Sequence, residues 1–155
     1  MATARIVYAS MTGNTEEIAE IIEEELENHG VSVTTTEVSQ AIADDFADVD
    51  ICIVATYTFS DSGSGMLPDE AVDFYEELKE VDLHGKVFGC AGSGDHFYTD
   101  FATSVDDFAD VLAADGAVKG ADSVKVDLAP EAEDIERLEQ FVSQIVAKQA
   151  EIAAS

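Results

Sequence analysis

Positive charge is what this sequence has least of: 7 Lys and Arg stand against 34 Asp and Glu in 155 residues, a formal net charge of -27. A chain so poor in cations cannot neutralise a phosphodiester backbone, which excludes nucleic acid as a partner. Cysteine is scarce too. Cys52 and Cys90 lie inside apolar runs with no C-x-x-C pair and no metal-ligand pattern around them, so both are expected to be small buried hydrophobes. No run reaches the roughly 18 apolar residues that a membrane span needs. The first apolar run begins a few residues from Met1, leaving no room for a signal peptide, and a cytoplasmic protein is expected. Internal repeats and low-complexity tracts are also missing.

What is present is the composition of one folded domain spanning 1–155, with 46% hydrophobic residues. The acids are dispersed, Glu23 to Glu25 being the longest uninterrupted run, and they alternate with periodic apolar positions. That pattern describes an acidic skin over a core and not a disordered chain. Two origins suit such a skin: a field that steers basic redox partners, or adaptation to a salt-rich, halophilic interior where a Debye length of about 3 Å at 1 M removes self-repulsion. The size of the imbalance favours salt adaptation.

The most informative stretch is Arg5 to Ala19, RIVYASMTGNTEEIA. Ile6, Val7 and Tyr8 read as a buried parallel strand, and Ile18, Ile21, Ile22 and Leu26 fall on one side of a helix. Between them Ser10, Met11, Thr12, Gly13, Asn14 and Thr15 turn the chain. The first turn of a helix has unpaired N–H groups and the positive end of the macrodipole, and the hydroxyls and amide here add uncharged donors. No Lys follows in a G-x-x-x-x-G-K-[ST] pattern and no thiol is present, so triphosphate hydrolysis and thiolate phosphatase chemistry are both disfavoured. By itself the motif serves equally as a turn with an N-cap or as a cradle for a single terminal phosphate.

Further along, strand and helix signals alternate. Gly30 suits the end of the first helix, with His29 as a surface cap. Val31, Val33 and Thr34 to Thr36 predict a second strand, Ala41 to Asp48 a short helix or irregular link, and Asp50 to Ala55 a central strand. Thr56 to Pro68, TYTFSDSGSGMLP, reads as a long loop. Pro68 opens a helix striped by Ala71, Phe74, Tyr75 and Leu78. Lys86 to Ala91 predicts the fourth strand and Gly92 to Phe101, GSGDHFYTDF, a second glycine-rich loop. Val105, Phe108, Ala109 and Leu112 mark the next helix, ended by Gly116. Ser123 to Leu128 predicts a fifth strand. Pro130 opens a last helix facing inward through Ile135, Leu138, Phe141, Val142 and Ile145. Five alternations define an α/β protein with a parallel sheet and right-handed crossovers. Its three marked loops leave the carboxyl edge, where open sheets bind ligands. One offers phosphate donors. The other two each offer an aromatic plane, Tyr57 or Phe59 and Phe97 or Tyr98, to grip a planar cofactor.

The run Ile6-Val7-Tyr8-Ala9-Ser10-Met11-Thr12-Gly13-Asn14-Thr15, with Ala19, resembles the FMN phosphate signature of the flavodoxin family, and the resemblance covers nearly the whole chain. It implies a flavodoxin-like three-layer sandwich with a five-stranded parallel sheet ordered 2-1-3-4-5, helices on both faces and one non-covalent FMN. The family's phosphate positions fall on Ser10, Met11, Thr12, Gly13, Asn14 and Thr15. Its inner flavin loop falls on Thr56, Tyr57, Thr58, Phe59, Ser60 and Asp61, with Phe59 where relatives often carry Trp or Tyr. Its outer loop falls on Ser93, Gly94, Asp95 and Tyr98, in a stretch closed by Phe101, with Tyr98 as the coplanar ring. The uninterrupted fifth strand resembles the short-chain type. The stretch Ser60 to Met66 is longer than in typical relatives, and Gly63 or Gly65 would permit the peptide flip known there.

The function so implied is low-potential, one-electron transfer between a reductase and an acceptor protein by a monomer without substrate turnover of its own. A small FMN-dependent reductase with its own quinone or flavin substrate is the alternative. It lacks a G-x-G-x-x-G nicotinamide site after the first strand, and His96 is the only side chain near the loops that donates a proton near neutral pH. A phosphoacceptor receiver domain would need acids where Tyr8, Ala9 and Thr56 stand.

Overall fold

A computed structural model of the chain describes residues 2–10, 13–57, 59–61, 64–66, 69–94, 103–127 and 129–154; at 59–61, 64–66, 69 and 103 it describes the backbone alone. In chain order the elements are β1 (Thr3–Tyr8), α1 (Asn14–Asn28), β2 (Ser32–Glu37), 3-10 turns at Val38–Gln40 and Ala43–Asp48, and β3 (Ile51–Tyr57). A hairpin of β4 (Phe59–Asp61) and β5 (Ser64–Met66) follows, then α2 (Asp69–Leu78), β6 (Val87–Gly94) and α3 (Thr103–Ala114). The chain ends in β7 (Val118–Lys119), β8 (Val124–Asp127) and α4 (Ala132–Ala154).

The main sheet is parallel and runs β2-β1-β3-β6, with β7 and β8 sharing the outer side of β6. Counting that shared position as the fifth, this is the expected 2-1-3-4-5 order. The fifth strand differs in detail from Ser123 to Leu128. It starts at Val124, Leu128 lies outside the described residues, and β7 pairs first with Val87 and Phe88. Between the two pieces Gly120 runs so close to the sheet that a Cβ there would stand 2.6 Å from Val87 Cγ1.

Strand β3 shows why its sequence is a continuous apolar run. Cys52 and Val54 face a cluster built by Phe46, Phe74, Leu78, Phe108 and Leu112, while Ile51, Ile53 and Ala55 face Ile18, Ile22, Leu138, Phe141 and Ile145. Both faces of the sheet are covered, so polar alternation has nowhere to appear. On the first face the rings of Phe46 and Phe74 meet edge to face at 5.7 Å, and those of Tyr75 and Phe108 at 5.4 Å. Both cysteines are buried as expected. Burial pushes the Cys52 thiol up to about 12 and raises Cys90 as well.

Three expectations are corrected. Gly92, Ser93 and Gly94 belong to β6 and not to a loop, because β3 and β8 pair with Gly92 and Ser93 on either side, β8 also pairs with Gly94, and this overrides the weak strand propensity of glycine. The stretch after Tyr57 is not all loop, since Phe59, Ser60 and Asp61 pair antiparallel with Met66, Gly65 and Ser64. Ile135 is 37% exposed although it continues the helical period, because that period runs one turn beyond the buried face formed by Leu138, Phe141, Val142 and Ile145.

Candidate functional site

At the carboxyl end of β1 the chain turns into α1 through Gly13, whose φ of +95° is one that side-chain-bearing residues rarely adopt. Gly13 donates its N–H to Ser10 Oγ at 3.1 Å, and its carbonyl accepts the Glu17 N–H at 3.0 Å. Gly13 is also the N-cap, so no capping side chain satisfies the first turn of α1. The turn expected of the motif is present, and among the described residues no hydroxyl caps the helix. The first amides of a helix lack intrahelical partners, and such a helix start beside uncharged donors is chemically suited to an anion that needs no lysine.

Thr15, in the first turn of α1, is 1% exposed, and its Oγ1 lies 2.7 Å from Ser93 Oγ, which is itself buried near the carboxyl end of β6 toward the same edge. A single bond therefore joins the first corner to the start of the third predicted segment. β3 completes the group. Thr56 and Tyr57 pair with Gly92 and Ser93, and a Cβ on Gly92 would collide with the Thr56 carbonyl and stand 2.5 Å from Val105 Cγ2. Thr56 is buried and donates its hydroxyl to the Tyr57 carbonyl at 3.1 Å. The Tyr57 side chain packs against the hydrophobic cluster on this face, and its hydroxyl donates to Glu70 Oε1 at 2.8 Å.

Of the residues singled out in the sequence, Ser10, Gly13, Asn14, Thr15, Thr56, Tyr57, Ser93 and Gly94 thus gather at one sheet edge. Phe59, Ser60 and Asp61 follow in β4. Met11, Thr12, Thr58, Asp95, Tyr98 and Phe101, with His96 and Phe97, lie outside the described residues. Acids dominate the surroundings: Tyr8 at the end of β1 has its hydroxyl pKa raised by burial, then by Glu16, Glu37 and Glu20. Asp107 in the first half of α3 is raised by burial and by Asp106 and Asp110. Glu70 is not among the residues singled out in the sequence, and nothing in its spacing from Tyr57 announces the bond between them.

The strand order, the helices on both faces and these corners at the carboxyl ends define a doubly wound α/β protein, a fold that binds ligands outside the carboxyl ends of its strands. Residues 6–141 match the family model described as Flavodoxin. Probable flavodoxin 1 of Bacillus subtilis is 39% identical over 148 residues, covering 95% of this chain and 92% of its own length. The solved flavodoxin of Streptococcus pneumoniae TIGR4 superimposes with a TM-score of 0.91 at 53% identity, covering 95% of this chain and 99% of that one. A short-chain flavodoxin associated with a non-canonical PDU bacterial microcompartment gives 0.91 at 49% identity, covering 96% and 99%. The chain belongs to the flavodoxin family. Among the described residues no helix is long and apolar enough to cross a membrane.

Proposed function

We propose that this chain carries single electrons between redox proteins on a non-covalently bound FMN, and has no substrate turnover of its own. The observation that carries the reading is the buried Thr15–Ser93 bond, which draws the phosphate-type corner and the end of β6 together at the edge where such folds hold ligands. When bound, FMN supplies the one-electron chemistry; the protein supplies position and electrostatics. In this reading Ser10, Met11, Thr12, Gly13, Asn14 and Thr15 hold the phosphate without a cation. Thr56, Tyr57, Thr58, Phe59, Ser60 and Asp61 line the inner side of the ring, and Ser93, Gly94, Asp95, Tyr98 and Phe101 the outer side. Because Tyr57 is turned toward α2, Phe59 is the better candidate for the inner plane.

Uncharged phosphate donors and the acidic surface of the chain would disfavour extra negative charge on the bound group and so would lower its potential. The chain works as a single domain and a monomer in the cytoplasm, between a reductase and an acceptor whose docking faces are basic. Family membership disfavours the small-reductase alternative. The test is the visible spectrum of the purified chain, with chromatography of the released chromophore. A flavin spectrum, FMN as the chromophore and no steady NAD(P)H oxidation by the isolated chain are expected; a colourless chain that takes up no FMN overturns the reading.

A further inference from the structure

Tyr57 and Glu70 are 13 residues apart, and their side chains meet at 2.8 Å across the two ends of one segment. Tyr57 is the last residue of β3, held by its pairing with Ser93. Glu70 is in the first turn of α2, a helix pinned to the core by Ala71, Phe74 and Leu78. Everything between them, including the β4–β5 hairpin, leaves from one of these residues and returns at the other.

We propose that Glu70 is a positioning residue: by holding the Tyr57 hydroxyl it fixes the entry and exit of the β4–β5 hairpin, and so the face that hairpin presents to the flavin ring. The inference rests on the FMN reading above and adds to it a residue outside the cofactor-binding set. Three features favour it. A hydrogen bond from a neutral hydroxyl to a carboxylate is stronger than one between neutral groups. The bond is partly buried, so solvent competes with it less than at an open surface. Both anchors are otherwise rigid, so the bond constrains the segment between them and not the anchors themselves. The effect belongs to the ring end of the ligand. The phosphate corner at Gly13 and Asn14 is built by different elements and shares no bond with Tyr57 or Glu70 among the described residues.

The variants Y57F, E70A and E70Q test this, because Phe keeps the packing of the ring, Ala removes the acceptor, and Gln retains an acceptor oxygen without the charge. Apoproteins prepared from the purified holoproteins are titrated with FMN and riboflavin, followed by flavin fluorescence, and with inorganic phosphate as a competitor of FMN. Y57F and E70A are expected to weaken FMN and riboflavin by the same factor, about tenfold or ~1.4 kcal/mol. Phosphate competition should stay unchanged, and E70Q, which keeps a neutral bond of about half the strength, should weaken flavin binding by only about threefold. Amide exchange at Ser60 and Gly65 in the apoproteins should quicken in Y57F and E70A, and less in E70Q. Unchanged flavin affinity in Y57F and E70A overturns the proposal, as does equal weakening of phosphate or an E70Q as poor as E70A. A parent chain that binds no FMN defeats the functional reading instead, and the apoprotein exchange rates still decide whether the bond positions the hairpin.

Discussion

Thr15 and Ser93, 78 positions apart in the chain, share a 2.7 Å hydrogen bond between two buried hydroxyls. Among the described residues each is the other's side-chain hydrogen-bond partner, in a place largely closed to water. Replacing Thr15 with Val, or Ser93 with Ala, strands the remaining hydroxyl, and each change is expected to cost about 1–3 kcal/mol. The double variant removes both polar groups and should cost less than the sum of the two. Urea unfolding of the four proteins checks the cycle; strict additivity would show that the bond contributes nothing.

The glycines of β6 should differ sharply. A methyl on Gly89 meets the flexible ends of Phe141, at 2.7 Å, and Ile145, which can shift, so G89A is expected to cost about 1–3 kcal/mol. A methyl on Gly92 meets the Thr56 carbonyl, which is held in the β3–β6 ladder and cannot move aside. G92A should therefore lose more stability than G89A and disturb the strand ends at the site. Thermal unfolding of the two variants gives the order, and a G92A as stable as G89A contradicts the geometry.

Asp115 at the end of α3 is 8% exposed, its Oδ2 has no hydrogen-bond partner, and burial followed by the nearby Asp82 charge raises its pKa to about 6. Its folded pKa lies above its unfolded one, so the native state binds more protons between the two values. The contribution to stability is full below the unfolded value and is lost as pH rises through about 6. D115N should be more stable than the parent above pH ~6 by about 1 kcal/mol, allowing for solvent screening, with the difference fading toward pH ~4. Paired denaturation curves across that window check it; a gap that widens on acidification has the wrong sign.

The 34 acids give a prediction about salt. Their mutual repulsion is screened as the Debye length falls from about 10 Å at 0.1 M to about 3 Å at 1 M. The urea midpoint should rise steeply over that range. A flat response removes salt adaptation as the reason for the acidic skin and leaves partner steering.

How far the sequence could be read depended on whether the information was local. Ile51 to Ala55 was legible because burial on both faces leaves no polar residue in the run, and the corner at Gly13 because a left-handed turn demands glycine. Ser93 looked like loop because glycine neighbours lower strand propensity; only its two strand partners make it sheet. Phe59 to Met66 hid a hairpin since its glycines and serines read as turn throughout. Ile135 kept the helical period past the end of what α4 covers. The bonds that assemble the site, Thr15 to Ser93 and Tyr57 to Glu70, leave no periodic trace, because each depends on how separate elements meet in space.

Cys52 and Cys90, sealed in the sheet with thiols that stay protonated at any physiological pH, have one more consequence. Sulfur reacts with oxidants and with other sulfurs as the thiolate. A carrier that meets oxygen while loaded with electrons would be exposed to mixed disulfides and sulfenic acid at any reactive cysteine. Here those side reactions find no anion to start from, and the polypeptide stays chemically silent while the electron passes.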